Sequence, residues 1–172
     1  MRIFRNKKGI TLVELMVSML LFTIIAAAVS AILMPMLNSF ARANELAECN
    51  TLLDSVANVI TRDLSKATEE IGALGTNILS ITVNSVNDVR YLIPEDPDSE
   101  YRGLLLKNGV PVFAKSFYKN KSVGIICARD DTAARGVVYK LTVIILSDKY
   151  GEMIRRDYTV RPLALPANQY LG

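Results

Sequence analysis

The sequence predicts an α+β protein, in which a long N-terminal helix packs on an antiparallel β-sheet head. Three observations support this prediction. Residues 10–37 are almost continuously apolar, and residues 38–71 repeat apolar side chains at helical spacing. Residues 72–162 then change to short β-branched runs separated by turn residues, and residues 163–172 lack this pattern and are expected to form a tail. One helical block followed by one block of strands, without alternation, is typical of the α+β class.

The apolar segment, residues 10–37, is long enough to cross a bilayer, which requires about 20 apolar residues. The leader before it, residues 1–9, carries four basic residues and no acid: Arg2, Arg5, Lys7 and Lys8. Lys and Arg excess marks the cytoplasmic side, so the N-terminus is expected to stay inside and the rest to be exported. A secretory signal has a shorter apolar core, with its cleavage site behind it. Here the small residue Gly9 stands in front, so cleavage after it would leave the apolar helix on the mature protein.

Glu14 is a carboxylate inside this apolar segment. Such a group costs about 2.5–3.5 kcal/mol in a bilayer on insertion scales and usually pairs with a cation. Cleavage after Gly9 would create an α-amine on Ile10, and positions i and i+4 share a helix face. The amine of a neighbouring subunit could serve equally well, which would make Glu14 an assembly signal. The alternative is that Glu14 lies near the lipid headgroups and tolerates its charge.

Residues 7–15, Lys-Lys-Gly-Ile-Thr-Leu-Val-Glu-Leu, resemble the class III signal of type IV prepilins and type II secretion pseudopilins. The resemblance implies that a prepilin peptidase cuts after Gly9 and N-methylates Ile10. It implies that Glu14 pairs with a neighbouring subunit's terminus during assembly. The implied partners are this peptidase, other pilins or pseudopilins, an inner-membrane assembly platform and the lipid bilayer. Ile10 departs from the phenylalanine of many members, although other apolar residues also occur there.

A looser resemblance links two later segments to minor pilins and pseudopilins of the J and W type. These are residues 60–67, Ile-Thr-Arg-Asp-Leu-Ser-Lys-Ala, and the strand–hairpin–strand pattern of residues 89–113. The alternative for the first segment is a generic amphipathic turn.

The helix is predicted to continue from Ile10 to about Thr68, with Pro35 causing a kink or local melting. Its second half presents one apolar face, which is expected to dock the head, while charged residues such as Glu45 and Glu48 lie off that face. The members of this docking face are Leu46, Cys49, Leu53, Val56, Ile60, Leu64, Ala67 and Ile71.

Seven short strands are predicted after residue 72: Ile78–Val83, Val89–Ile93, Gly103–Leu106, Val110–Phe113, Val123–Ala128, Val137–Leu146 and Met153–Val160. The Asn108-Gly109 pair predicts a hairpin turn, because these residues readily adopt positive φ angles. Residues 148–151 are expected to form a second hairpin turn. Short connections of this kind favour an antiparallel meander.

The sequence offers little support for catalysis or metal binding. It contains no histidine, which excludes Ser–His and Cys–His nucleophile pairs, and two cysteines alone do not make a structural zinc site. The acidic segment 95–100 lacks the spacing of a calcium loop and is expected to be solvated. Without the leader the charge is nearly balanced and no basic stripe is present, so direct nucleic-acid binding is not predicted. We therefore expect no enzyme, no cofactor and no metal site.

Cys49 lies on the docking face of the helix, and Cys127 alternates with Val123 and Ile125 on a predicted strand. An exported head permits disulfides, so a bridge between the two cysteines is one expectation and two buried thiols are the other. Taken together, the sequence predicts a membrane-anchored structural subunit, minor rather than major, of a type IV pilus or a pilus-like secretion or DNA-uptake filament, without choosing among these. The alternative is a single-pass, membrane-anchored binding module that keeps its leader as an uncleaved signal anchor.

Overall fold

The computed structural model describes residues 11–68, 73–83, 87–130 and 137–163. Predictions for the leader, Gly9, Ile10, Ile71 and the tail beyond Leu163 therefore lie outside the described residues. The chain divides into two compact units, Met1–Asn44 and Glu45–Gly172, and each is treated by itself below. A long N-terminal helix followed by antiparallel sheets confirms the α+β fold class.

Helix α1 spans Leu12–Leu64 and includes Pro35 without interruption, so the expected local melting is not observed. The helix ends before the predicted Thr68. The amide of Lys66 donates to the carbonyl of Asp63 over 3.1 Å, and that of Ala67 donates to Leu64 over 3.2 Å. These i to i+3 bonds are the tightened last turn that commonly satisfies carbonyls at a helix end.

Most of the predicted docking face is buried: Cys49, Leu53, Val56, Ile60, Leu64 and Ala67. Leu46 is the exception and the prediction for it was wrong, since 41% of it remains exposed. The buried face is also wider than predicted, because Leu52, Ala57 and Asp63 are buried with it. A docking face predicted from spacings of three and four residues alone is narrower than the helix face that packs on a sheet.

The second unit contains two antiparallel sheets. The first has the order β1-β2-β3-β4-β5, formed by Ala73–Leu74, Ile78–Val83, Asn87–Leu92, Leu106–Lys107 and Val110–Pro111. The second has the order β6-β7-β8, formed by Lys121–Asp130, Val138–Ser147 and Gly151–Val160. Strands adjacent in sequence pair within each sheet, as the predicted meander requires, but the meander is divided between two sheets. The short helix α2, Lys115–Tyr118, precedes β6 and was not predicted.

Turn chemistry was predicted better than strand length. Asn108 and Gly109 have φ angles of 52° and 82°, and they join β4 to β5 as expected. Gly151 has a φ of 73° and begins β8 after the second predicted turn. The prediction of a strand over Gly103–Leu106 was wrong, because only Leu106 belongs to β4 and the preceding residues form a loop. That loop is apolar because it is buried against the core, and burial alone mimics a strand pattern.

Asn77 joins the two sheets. Its amide donates to the carbonyl of Ile125 over 2.7 Å, and its side-chain oxygen accepts from the Ile125 amide over 3.0 Å. Its own carbonyl accepts from the amide of Ile93 over 2.9 Å. Asn77 has a φ of 61°, a left-handed conformation that asparagine tolerates better than most residues. One residue therefore connects β2, the end of β3, and β6.

A single hydrophobic cluster joins the helix to both sheets. From α1 it includes Leu53, Val56 and Ile60, all fully buried, and from the sheets Ile81, Leu141 and Ile145, equally buried. Fully burying an aliphatic side chain of this size contributes about 1.5–3 kcal/mol. Apolar packing is therefore the main attachment of residues 49–64 to the head.

Candidate functional site

The first part of α1 exposes a long apolar surface. Its large apolar side chains from Leu12 to Phe40 are between 50% and 76% exposed. An 18-residue window of this helix has a mean hydropathy of 2.5, and none of that window is buried. Soluble monomers rarely expose contiguous apolar surface on this scale. By length and composition, α1 is the one helix in the described part of the chain that can cross a membrane.

Local sequence determines where this helix begins. The hydroxyl of Thr11 accepts a hydrogen bond from the amide of Glu14 over 3.2 Å, and the carbonyl of Thr11 accepts from the amide of Leu15 over 3.1 Å. Thr11 is thus the N-cap, and Thr-x-x-Glu is the pattern of a capping box. Glu14 therefore lies in the first turn, where the helix dipole favours a negative charge.

Two other polar side chains of the apolar segment donate hydrogen bonds to the helix backbone. The Ser18 hydroxyl donates to the carbonyl of Glu14 over 2.7 Å, and the Thr23 hydroxyl donates to that of Leu20 over 2.8 Å. Among the described residues, none donates a hydrogen bond to the carboxylate of Glu14 or forms an ion pair with it. Glu14 is therefore the charged group in this segment, and it needs a cation from elsewhere.

Comparison with known families bears directly on this segment. A family model, the prokaryotic N-terminal methylation motif, matches residues 4–30. The start of this chain carries that motif. The match includes Gly9, Ile10 and Glu14, and it confirms the expected class III signal of type IV pilins and pseudopilins. The motif does not reach the segments that resemble the J and W type. Searches of curated proteins and of solved structures found no significant match.

The motif also concerns residues whose geometry is not described. Gly9, Ile10 and the leader residues Arg2, Arg5, Lys7 and Lys8 lie outside the described residues. The pairing of Glu14 with an amine on Ile10, in the same subunit or a neighbour, stays a prediction. What the structure adds is the capped first turn and the apolar helical surface around Glu14.

A charged cluster attaches the first helical turns of the second unit to the sheets. We call it the collar, and it consists of Glu45, Glu48, Lys119, Lys121 and Ser147. The side chain of Lys121 is only 2% exposed, and its Nζ lies 3.3 Å from Glu45 and 2.9 Å from Glu48. Lys119 lies 2.7 Å from Glu48, and the hydroxyl of Ser147 donates to Glu45 over 3.0 Å. The collar thus links residues on α1 with residues near the start of β6 and the end of β7.

Two pKa shifts describe the electrostatics of the collar. Hydrogen bonds from Lys119 and then Lys121 lower the pKa of Glu48 to about 2. Burial disfavours the charged form of Lys121, but the hydrogen bonds to Glu48 and Glu45 outweigh it and raise the pKa of its ammonium. Glu48 and Lys121 are therefore both charged at neutral pH. Helical spacing places Glu45 and Glu48 on the polar side of the helix, but it does not indicate their partners.

A second polar cluster lies at the end of α1. Asp63 is buried, and one of its carboxylate oxygens accepts from the hydroxyl of Tyr91 over 2.7 Å and from Nζ of Lys107 over 2.6 Å. Burial raises the pKa of Asp63, but these two hydrogen bonds outweigh it, so the net shift is downward. Burial and the bond to Asp63 raise the pKa of the Tyr91 hydroxyl. In the sequence, this cluster is indicated only by the position of Asp63, an acid next to Leu64 of the docking face.

Cys49 and Cys127 belong to the same hydrophobic cluster and are free thiols in this structure. Burial raises the pKa of Cys127 to about 11, and it also raises that of Cys49. Thiolate formation is therefore disfavoured at both positions. Both expectations for this pair, a bridge and two buried thiols, stay predictions.

Proposed function

We propose that this protein is a structural subunit, minor rather than major, of a type IV pilus or a pilus-like secretion or DNA-uptake filament. The observation that carries the proposal is the methylation motif over residues 4–30, joined to an exposed apolar helix that bears Glu14. A prepilin peptidase removes residues 1–9, methylates Ile10, and so prepares the helix for assembly from the membrane. The role is structural rather than enzymatic.

The proposed topology follows from charge and hydropathy. Arg2, Arg5, Lys7 and Lys8 keep the leader in the cytoplasm, residues 10–37 span the membrane, and the head is exported. Residues 38–71 and the strands of 72–162 then form the part outside the membrane. The burial of the docking face against the sheets supports assigning the later part of the helix to that head.

Glu14 provides the proposed mechanism of assembly. A carboxylate in the bilayer costs about 2.5–3.5 kcal/mol until it meets a cation. Within the described residues the Glu14 carboxylate has no ion-pair partner, while the nearby hydroxyls of Thr11 and Ser18 bond to the helix backbone. The methylated amine of a neighbouring subunit supplies the missing cation, so the cost of burial favours association of subunits.

Intact-mass spectrometry of the membrane fraction, from cells with an active prepilin peptidase, tests this proposal. The wild-type chain is expected to begin at a methylated Ile10. Gly9→Val is expected to retain the leader, because the peptidase requires a small residue at the cut. A wild-type chain that retains Met1–Gly9 in such cells would overturn the proposal. It would favour the membrane-anchored binding module, whose signal anchor is not cleaved.

A further inference from the structure

The head contains a cleft of about 850 Å³ that no part of the proposed assembly mechanism uses. It lies between the loop that follows β3, the short helix α2 and the beginning of β6. All its lining residues belong to the second unit. Binding pockets for small ligands typically occupy about 300–1,000 Å³, so the cleft is large enough for one.

Left-handed backbone is concentrated around this cleft. Four non-glycine residues in the described part of the chain have positive φ angles, and three of them, Asn77, Lys119 and Asn120, line the cleft. The fourth, Asn108, belongs to a hairpin turn, and Lys119 is also the C-cap of α2. Gly103 also lines the cleft with a φ of 70°, and a Cβ there would clash with the side chain of the facing serine of β6. Such conformations cost of order 1–3 kcal/mol each for ordinary residues and cluster at functional sites.

The charges that line the cleft favour an anion. Four basic residues face two acids, and the six are Arg102, Lys115, Lys119, Lys121, Glu95 and Asp148. The collar already engages Lys119 and Lys121 through Glu48, and Glu95 accepts a hydrogen bond from Asn77. Arg102 and Lys115 are exposed and form no ion pair with any described residue. Of the lining charges that remain among the described residues, two are cations, Arg102 and Lys115, and one is an acid, Asp148.

The remaining polar groups are suited to the same ligand. Ser116 and Ser122 line the cleft, and neither hydroxyl forms a hydrogen bond within the described residues. The buried residues Ile93, Leu104 and Tyr118 also line the cleft. Such a cleft combines donors for an oxyanion with an apolar floor for the body of a small molecule. Arg is well suited to this task, because its guanidinium can bind two oxygens of a carboxylate or phosphate at once.

We propose that this cleft binds a small ligand carrying a carboxylate or phosphate group, with Arg102 and Lys115 as the binding cations and Ser116 and Ser122 as hydrogen-bond donors. The head is then a ligand-binding domain as well as a subunit of an assembly. This inference does not depend on leader cleavage or on filament formation.

Isothermal titration calorimetry of the full chain in detergent micelles tests the proposal. The titrants are inorganic phosphate and glutarate, at constant ionic strength, with sodium chloride as the blank. Saturable binding of either titrant is expected. Binding of phosphate would indicate a phosphorylated ligand, and binding of glutarate would indicate a carboxylated one. Arg102→Gln and Lys115→Gln are each expected to weaken binding about tenfold, the effect of losing one charge-assisted hydrogen bond.

Lys140→Gln is the matched control, because Lys140 is exposed, lies outside the cleft and pairs with Asp157 over 3.3 Å. It is expected to leave affinity unchanged. Thermal unfolding without ligand checks that Arg102→Gln and Lys115→Gln fold, as expected for substitutions of exposed side chains. The proposal is overturned if neither titrant saturates, or if the two cleft variants bind as tightly as the control.

Discussion

Lys121→Met is the most direct test of how α1 is held on the head. Methionine has a similar length but no charge, so Glu45 and Glu48 lose the ammonium at 3.3 Å and 2.9 Å. Removing one partner from a buried ion pair costs about 3–5 kcal/mol. The expected cost here is smaller, because Glu48 keeps Lys119, Glu45 keeps Ser147, and both carboxylates are partly exposed. We expect the free energy of unfolding to fall by about 2–3 kcal/mol.

The assay is urea unfolding of the full chain in detergent, followed by circular dichroism at neutral pH. Lys140→Met is the control, since its pair with Asp157 lies on the surface, where ion pairs contribute little to stability. If Lys121→Met costs no more than this control, the collar does not stabilise the fold and the reasoning is wrong.

The pH dependence of the same protein gives a second readout. The folded-state pKa of Glu48 is about 2, against an ordinary value of 4.5. A lowered pKa means that the stabilisation is fully present above pH 4.5 and is lost as the pH falls toward 2. In Lys121→Met the pKa of Glu48 is lowered less, because only Lys119 remains as a hydrogen-bond donor. The acid-induced loss of stability over this range should therefore be smaller than in the wild type.

Three further outcomes are expected. Glu14→Ala should leave leader cleavage intact, as measured by mass spectrometry, but reduce the amount of the subunit recovered in sheared filaments. Normal recovery would favour the alternative that Glu14 lies near the lipid headgroups and plays no part in assembly. Neutralising the four leader cations should impair insertion and hence cleavage, measured by the fraction of precursor in membranes, and undiminished processing would contradict the proposed orientation. Cys49 and Cys127 should resist alkylation in the folded protein and both react after unfolding without reductant, whereas a bridge would leave both unmodified.

Features encoded by neighbouring residues were predictable from the sequence. The helical segment, the Asn108-Gly109 turn and the methylation motif each depend on a short stretch of chain. Strand β2 was predicted with the bounds that the structure gives, Ile78–Val83, because a run rich in β-branched residues lies there between turn residues.

Features that depend on contacts distant in sequence were not predictable. Asn77 is one of the residues that connect the two sheets, and its side chain accepts from the amide of Ile125 at a separation of 48 positions. The collar joins Glu48 to Lys121 over a separation of 73. Each of these polar residues is an ordinary surface-type residue in its local sequence, so periodicity cannot identify its role. The cleft was missed for the same reason, since its walls come from separate loops and strands.

Polar contacts along the docked helix can fix its position on the sheets, which apolar packing alone does not determine. Burial of the docking face stabilises the helix on the sheets, but apolar attraction has no direction and tolerates shifted or rotated arrangements. Directional contacts occur at three levels: the collar, then Asp54 with Arg156 over 2.7 Å, then Asp63 with Tyr91 over 2.7 Å. A helix shifted by one turn, about 5.4 Å, would break all three and leave the buried Lys121 and Asp63 without their partners.

These contacts should therefore select one register of the helix on the head. Asp54→Asn combined with Asp63→Asn removes the charge from two of the three levels and leaves the apolar docking face unchanged. We expect the amide signals of the head in an NMR spectrum to broaden or double in this variant, because helix registers that the charged contacts exclude become populated. The effect should be larger than in either single variant. Asp157→Asn is the control, since its pair with Lys140 joins two strands and does not involve the helix. A double variant whose spectrum stays as sharp as that of the control would show that side-chain shape alone fixes the register.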